Sequence, residues 1–275
     1  MPIASRPVKV SPGVTLGAAG RLFLIAGPCV IESRAHALGL ARRIRTVAAG
    51  LGIPFVFKAS YDKANRSSRR SFRGPGQAEG LDILAEIKRT VGVPVLSAVH
   101  ETAQVEAAAR VLDIIQIPAF LCRQTDLLIA VAATGKPVNI KKGPFLSPWD
   151  MKNAVEKVEG AGNAKILLTE RGTTFGYNNL VVDLRSIPIM KELGHPVVID
   201  ASHSVQRPGG RGTASGGDRA LIPVIARAGV AAGADGIFLE VHDDPDAALS
   251  DRDNALPLRE LKGLLAGLLR IKKAL

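Results

Sequence analysis

The 275-residue sequence has few cysteines, few aromatic residues and no long apolar segment. Two cysteines, Cys29 and Cys122, are too few for a disulfide framework, so we expect a reducing compartment, the cytoplasm. No stretch approaches the ~18 consecutive apolar residues of a membrane span, and the first residues show no signal-peptide pattern, so we expect no membrane partner. With 47% hydrophobic residues and no Gly/Pro repeat, the chain is typical of a globular protein.

The positive charge is large, because 36 Lys and Arg face 25 Asp and Glu, a net charge of +11. Such an excess fits nucleic acid, a membrane surface or anionic metabolites. The densest basic cluster lies at 63–73 in a predicted loop, and no basic arm or RNA-binding aromatic motif occurs. We therefore expect small anionic ligands and no nucleic acid. Nucleic-acid binding is the alternative of a different class, and it predicts an affinity that falls steeply with salt.

A short apolar run followed by a helix-length amphipathic segment recurs along the chain. The runs lack polar alternation, as strands buried on both faces do, and they start at Arg21, Ile53, Val93, Asp113, Pro137, Lys165, His195 and Gly236. Eight strand–helix units in about 250 residues predict a (β/α)8 TIM barrel, with an open doubly wound sheet as the alternative. We expect a single domain over 1–275. Its N-terminal segment VKVSPGVTLG is predicted to form a short β-hairpin before the barrel begins.

Polar residues of unusual types stand where the predicted strands end. In either parallel architecture ligands bind beyond the carboxyl ends of the strands. One such residue stands at the carboxyl end of each run: Cys29, Lys58, His100, Gln116, Lys141, Arg171, His203 and Glu240. Each alone could simply begin a solvated loop. The whole set, with its cations, thiol and imidazoles, indicates a ligand site at this end of the fold.

The cations of this set predict oxyanion binding. Lysine acts as a point charge for phosphate, whereas arginine forks onto two oxygens. Near Lys58 the loop KANRSS adds Lys63 and the polar side chains of Asn65, Arg66 and Ser67. Two anionic substrates, or one large one, would account for so many positive groups in one cleft.

A second constellation consists of Cys29, His203, Glu240 and Asp251. Thiolate, imidazole and carboxylate are ligands for a divalent transition metal, although the spacing matches no local zinc signature. Three of the four residues end the first, seventh and eighth predicted strands, which converge only in a closed barrel. We assign His36, His195 and Cys122 to structural roles.

Several long segments are similar to one enzyme family over nearly the whole chain, among them LIAGPCVIES, FKASYDKANRSS, VNIKKGPFLSPWDM, LTERGTTFGYNNLVVD and DASHSVQRPGG. The sequence resembles the 3-deoxy-D-manno-octulosonate 8-phosphate synthases. The resemblance implies a tetrameric (β/α)8 barrel that condenses phosphoenolpyruvate with D-arabinose 5-phosphate and water, for lipopolysaccharide synthesis. The alternative is a 3-deoxy-7-phosphoheptulonate synthase using erythrose 4-phosphate, but those enzymes carry a KPRTS-like sequence in place of KANRSS.

The resemblance also implies roles for individual residues. Lys58 and Lys63 would hold the phosphoenolpyruvate carboxylate, and Lys141 and Arg171 its phosphate. The pentose phosphate would lie against Asn65, Arg66 and Ser67, and Gln116 would help line the cleft. The catalytic residues implied are Lys58, Lys141 and His203.

Position 29 distinguishes two forms of the family, since cysteine marks the metal-dependent members and asparagine the metal-independent ones. The resemblance therefore implies a divalent metal ion (Zn, Fe, Mn or Co) bound by Cys29, His203, Glu240 and Asp251. This sequence departs from the family pattern in the segment VPVLSAVHE. Ala98 stands where the family usually has an aspartate, two residues before His100. If that aspartate contacts the sugar, a neighbour or a water takes its place here.

Overall fold

The computed structural model describes residues 5–210, 212 and 215–275. Most of its strands are short and buried: β1 (Val8–Ser11), β2 (Val14–Leu16), β3 (Phe23–Gly27), β4 (Phe55–Lys58), β5 (Val95–Ala98), β6 (Ile114–Ile117), β7 (Val138–Lys141), β8 (Ile166–Glu170), β9 (Thr173–Thr174), β10 (Leu180–Val181), β11 (Val197–Asp200), β12 (Gln206–Arg207), β13 (Gly216–Gly217), β14 (Gly236–His242) and β15 (Leu256–Pro257). Eight of them, β3 to β8, β11 and β14, run parallel, and β14 pairs with both β3 and β11, so the sheet is closed. The predicted (β/α)8 barrel is confirmed, and the open-sheet alternative is wrong.

Helices cover the outside of the barrel: α1 (Arg34–Gly50), α2 (Gln77–Val91), α3 (Val105–Val111), α4 (Thr125–Ala133), α5 (Met151–Gly160), α6 (Ser186–Lys191), α7 (Ile222–Ala231) and α8 (Leu258–Lys273). The first begins at Ser33, whose hydroxyl accepts the backbone N–H of His36 at 3.2 Å. Apolar helix side chains pack against the outward-facing strand residues in one continuous core. In the part of the chain that the structure describes, no helix combines the length and apolarity that crossing a bilayer requires.

The barrel interior explains why the strand sequences lack polar alternation. Inward-facing residues such as Phe23, Val56, Leu96 and Phe238 form their own packed cluster, separate from the outer core. A side chain at Gly236 would put its Cβ 2.4 Å from the Phe23 ring, so glycine makes room for that phenyl group. Both strand faces are therefore apolar, as in parallel sheets generally.

The predicted hairpin is confirmed as β1 and β2, which pair antiparallel. Val8 and Leu16 pack against the inner cluster of the barrel. The opposite, carboxyl end of the barrel carries longer connections, including the two-stranded ribbons β9–β10 and β12–β13. Functional side chains collect at that end.

Candidate active site

A cavity of about 630 Å³ opens at the carboxyl ends of the barrel strands. Every residue that we expected to bind substrate lines it: Lys58, Lys63, Asn65, Arg66, Ser67, Gln116, Lys141, Arg171 and His203. These residues come from separate strands and loops, and barrel closure brings them together. One cavity thus holds a concentration of fixed positive charge, which suits anionic ligands.

An anionic side chain that sequence analysis missed, Asp200, organises the centre of the cavity. It ends β11, and its carboxylate contacts the Lys141 ammonium and lies 2.7 Å from His203 Nδ1. Burial alone would raise the pKa of Asp200, but His203 and Lys141 outweigh burial and hold that pKa below its ordinary value. The Asp200 carboxylate is nearer to His203 Nδ1 than the Lys141 ammonium is, at 2.7 against 3.2 Å, and it favours the tautomer with the proton on Nδ1 and Nε2 as an acceptor.

Two lysines lie over an aromatic ring at the floor of the cavity. The ammonium groups of Lys141 and Lys58 are 4.4 and 5.4 Å from the centre of the Phe238 ring. Burial lowers the pKa of Lys141 to about 8, against the opposing effect of Asp200. Lys141 therefore lies at a desolvated position where an anionic ligand would strengthen its charged form.

The four candidate metal ligands flank β14 and its following loop, and we call Cys29, His203, Glu240 and Asp251 the cleft cluster. Ligand atoms of Cys29, Glu240 and Asp251 all lie within 4.8 Å of one another. His203 Nε2 is 3.4 Å from Glu240 Oε1, and Cys29 Sγ is 2.9 Å from Asp251 Oδ2. Among the described residues, the buried Glu240 Oε2 has no hydrogen-bond partner. The donor set and the unpartnered oxygen fit a divalent transition metal.

Lys63 stands closer to the cleft cluster than the sequence indicated. Its ammonium is 3.9 Å from Glu240 Oε1, and that of Lys58 is 3.3 Å from the same oxygen. Although burial opposes the charge, Cys29, Glu240 and Asp251 raise the pKa of Lys63 above its ordinary value. Both lysines thus balance the anionic groups of this cluster as well as facing the cavity.

Gln206, another residue that sequence analysis missed, links two sides of the cavity. Its Nε2 donates to Asp251 Oδ1 at 3.2 Å, and its Oε1 accepts from Arg171 Nη2 at 2.9 Å. Arg171 also donates to the carbonyl of His203 at 3.3 Å. The motif DASHSVQRPGG contains Gln206, but no spacing rule singles out a glutamine in a loop.

The basic loop after β4 is held by its own contacts. Arg66 Nε donates to the carbonyl of Phe72 at 2.9 Å, and the Lys63 N–H donates to the carbonyl of Arg73 at 2.8 Å. Arg73 in turn forms a two-pronged ion pair with Asp62, which lines the cavity. Among the described residues, the buried Arg66 Nη2 has no hydrogen-bond partner, which leaves a donor of this loop unsatisfied.

Polar strand residues beneath the cavity fix one another. Gln116 donates to Asn139 Oδ1 at 2.6 Å, and Asn139 donates to Thr169 Oγ1 at 2.7 Å. Gln116 therefore presents a hydrogen-bonded amide rather than a mobile one. Ala98 and His100 also line the cavity, and burial lowers the pKa of His100. No carboxylate stands at position 98.

Two adjacent lysines at the end of β7 have different surroundings. Lys141 faces the cavity, whereas Lys142 points into the protein. The Lys142 ammonium donates to three backbone carbonyls and to Thr173 Oγ1, and lies 3.5 Å from Glu170. Alternation along a strand separates them, so Lys142 supports the loops and does not contribute to the cavity.

A second group of ligand-type residues lies outside the cavity, where the start of α1 meets the end of β14. This outer cluster consists of Glu32, His36, His242 and Asp243. Ligand atoms of the first three lie within 4.8 Å of one another. However, the Asp244 N–H donates to His242 Nδ1 at 3.0 Å, so the neutral ring carries its proton on Nε2. The neutral His242 ring therefore directs an N–H toward Glu32 Oε1, 3.4 Å away, which makes the outer cluster a poorer fit for a cation than the cleft cluster.

Comparison with known proteins gives matches over nearly the whole chain. The sequence profile described as the DAHP synthetase I family matches residues 5–274. A protein of Trichlorobacter lovleyi is 60% identical over 252 residues, covering 92% of this chain and 93% of its own length. A protein of Desulfosudis oleivorans is 61% identical over 262 residues, covering 95% and 94%. A third, of Desulfatibacillum aliphaticivorans, is 56% identical over 266 residues, covering 97% of both chains. All three are named 2-dehydro-3-deoxyphosphooctonate aldolase.

Proposed function

The chain belongs to the DAHP synthetase I family, and on this basis we propose that it condenses phosphoenolpyruvate with D-arabinose 5-phosphate and water. The products are 3-deoxy-D-manno-octulosonate 8-phosphate and inorganic phosphate. The names of its relatives support this reaction. The single observation that carries the proposal is the cavity in which Lys58, Lys63, Lys141 and Arg171 meet.

Fixed cations meet the physical demand of this reaction, which is to bring two anions together. Phosphoenolpyruvate and a sugar phosphate repel each other, and water screens that repulsion without orienting the reacting carbons. Lys141 and Arg171 would hold the phosphate of phosphoenolpyruvate, and Lys58 and Lys63 its carboxylate. Such binding places C3 of the enol near the aldehyde carbon, and orientation of this kind is worth several kcal/mol.

The pentose phosphate would lie in the cavity beside the loop after β4. Asn65, Arg66 and Ser67 line the cavity there, and the Arg66 guanidinium would pair with an oxyanion. Gln116 would offer its amide to a sugar hydroxyl. Because Ala98 brings no carboxylate, Asp62 on the same wall or a water would complete the hydroxyl contacts.

A divalent metal ion (Zn, Fe, Mn or Co) would be held by the cleft cluster. Bound there, the ion supplies Lewis-acid and template chemistry at the aldehyde end of the sugar. His203 would offer Nε2, because Asp200 keeps the proton on Nδ1. Burial lowers the pKa of His203, which favours the neutral ring that metal binding needs. Lys141 would hold the phosphate of phosphoenolpyruvate on the other side of Asp200.

The experiment that tests the proposed reaction is a phosphate-release assay on the two candidate sugars. Metal-loaded protein with phosphoenolpyruvate should release phosphate with arabinose 5-phosphate and far more slowly with erythrose 4-phosphate. Faster release with erythrose 4-phosphate would favour the seven-carbon alternative. Release with neither sugar would reject the condensation, and a salt-sensitive affinity for oligonucleotides would then favour the nucleic-acid alternative.

We also infer a homotetramer, a cytoplasmic location and a role in lipopolysaccharide synthesis from the family. Exposed aromatic side chains on the rim of the carboxyl end support self-association, among them Trp149, Phe175 and Tyr177. Sedimentation analysis of the purified protein at several concentrations tests the tetramer. A monomer at all concentrations would reject it.

A further inference from the structure

We propose that Gln206 is a positioning residue that couples anion binding at Arg171 to cation binding at Asp251. This inference rests on the proposed function, since it assumes that the Arg171 side of the cavity takes an anion and the cleft cluster a metal ion. Gln206 lines the cavity, and its amide is held by hydrogen bonds to protein groups at both ends. It stands between one residue of each site.

The amide of Gln206 has one workable orientation. Its carbonyl oxygen lies 2.9 Å from Arg171 Nη2, and its NH2 group lies 3.2 Å from Asp251 Oδ1. Turned over, the amide would place a donor against the guanidinium and an acceptor against the carboxylate. The bridge is therefore specific to an amide, and it fixes the Asp251 carboxylate with Oδ2 toward the Cys29 sulfur.

Asp251 needs such support because its backbone is unusual. It has φ 47° and ψ 36°, in the left-handed region that non-glycine residues seldom adopt. Residues in this region persist where surrounding contacts hold them in place. The side-chain contacts of Asp251 with Gln206 and Cys29 are two such contacts.

The position of Gln206 is also fixed from its own side. It pairs with Gly217 in the β12–β13 ribbon, and the Asp218 N–H donates to the Val205 carbonyl at 3.0 Å. A Cβ at Gly217 would lie only 1.4 Å from Asn254 Oδ1, so the ribbon packs directly on the segment after Asp251. Gln206 therefore connects two parts that already touch.

Arg171 can accept an anion without giving up this bridge. Arg171 lines the cavity, and its hydrogen bonds to Gln206 and to the His203 carbonyl both use Nη2. An oxyanion that meets the guanidinium from the cavity would fix its position, the guanidinium would fix Gln206, and Gln206 would fix Asp251 for the metal. Coupling between two binding equilibria is reciprocal, so the metal must tighten anion binding by the same factor.

The test measures the affinity for Co²⁺ by chelator competition, with and without saturating phosphoenolpyruvate, in wild type and Gln206→Met. We expect phosphoenolpyruvate to tighten Co²⁺ binding in the wild type. In Gln206→Met the ratio of Co²⁺ affinities with and without phosphoenolpyruvate should be about fivefold smaller. The matched control is Arg207→Met, the next residue of the same ribbon, whose side chain pairs with Asp218 at the surface. This control should keep the wild-type coupling. Equal coupling in Gln206→Met and wild type would overturn the inference.

A second variant and a second readout separate positioning from folding. Gln206→Glu keeps an acceptor for Arg171 but turns a second carboxylate toward Asp251, so it should weaken Co²⁺ binding more than Gln206→Met does. Thermal unfolding of the metal-free variants should remain cooperative, which shows that they fold, and wild-type Co²⁺ affinity in Gln206→Glu would contradict the bridge. If wild-type protein binds neither Co²⁺ nor phosphoenolpyruvate, the proposed function fails as well. Binding of both with coupling independent of Gln206 overturns this inference alone.

Discussion

The cleft cluster and the outer cluster both include a residue of β14, Glu240 and His242, and use nearly the same residue types. In each, a histidine contacts an aspartate, at 2.7 Å for His203 and Asp200 and at 2.9 Å for His36 and Asp243. A cation pairs with each aspartate, Lys141 inside and Arg43 outside. Composition therefore does not distinguish the two groups.

His203 and His242 are both buried, so the difference lies in the ring nitrogen that holds the proton. His203 and Glu240 are buried, and the Asp200 carboxylate leaves His203 Nε2 free to bind a cation. In the outer cluster, a backbone N–H occupies His242 Nδ1, so the proton of that ring sits on the nitrogen that faces Glu32. The comparison teaches that the hydrogen bond to one ring nitrogen sets whether the other nitrogen can face a cation.

The largest expected effect, on Co²⁺ binding, comes from removing one candidate metal-ligand side chain from each cluster in turn. Cys29→Ala should abolish stoichiometric Co²⁺ binding and the condensation, because the thiolate is the softest ligand of the set. His36→Ala should keep one Co²⁺ per chain and its thiolate-to-cobalt absorption band. Metal analysis and the near-ultraviolet spectrum after chelator treatment and reloading measure both. Loss of a bound ion in His36→Ala would make the outer cluster a metal site.

A smaller effect is expected from the two aspartates. Asp200→Asn removes the carboxylate that keeps the His203 proton on Nδ1, so the affinity for Co²⁺ should fall about 10- to 100-fold. Asp243→Asn makes the same change beside His36 and should leave that affinity unaltered. Chelator competition on both variants is the measurement. Equal losses in the two variants would mean that net charge, rather than the histidine tautomer, controls binding.

The cations that pair with the two aspartates, Lys141 and Arg43, extend the comparison to substrate binding. Lys141→Met should weaken phosphoenolpyruvate binding about 10-fold or more, because a buried charge-assisted hydrogen bond is lost. Arg43→Met removes the corresponding cation of the outer cluster and should not change that binding. Calorimetric titration of both variants with phosphoenolpyruvate checks this. Near-normal affinity in Lys141→Met would remove Lys141 from the site.

The barrel could be predicted from the sequence because buried parallel strands appear as short apolar runs without polar alternation. The cations could be predicted because each stands at the end of such a run. It missed Asp200 and Gln206 for physical reasons. An aspartate at the end of a strand is typical of a turn, so Asp200 did not stand out. A glutamine in a loop belongs to no sequence pattern that predicts a role. The different directions of Lys141 and Lys142 depend on which face of β7 turns inward. The proton position in His242 depends on a backbone N–H two residues away, which only the folded chain supplies.

The smallest expected effect concerns Glu32, the carboxylate of the outer cluster. Its Oε1 accepts the Leu249 N–H at 2.8 Å, which ties the start of α1 to the loop that leads to Asp251. Burial opposes the charge, but hydrogen bonds from His242 and Leu249 lower the pKa of Glu32 below its ordinary value of 4.5. Glu32→Gln keeps the acceptor and loses the charge, so we expect about 1 kcal/mol lower stability near neutral pH.

The pH dependence of this loss has a defined sign. A carboxylate whose pKa is lower in the folded state stabilises the fold above its unfolded pKa, and that contribution is lost as the pH falls through the folded pKa. The difference in melting temperature between wild type and Glu32→Gln should therefore be full at neutral pH and shrink below pH 4.5. A difference that persists unchanged in acid would show that the variant disturbs packing. In that case Glu32 would stabilise the fold through side-chain packing, whereas the residues of the cleft cluster interact through their charges.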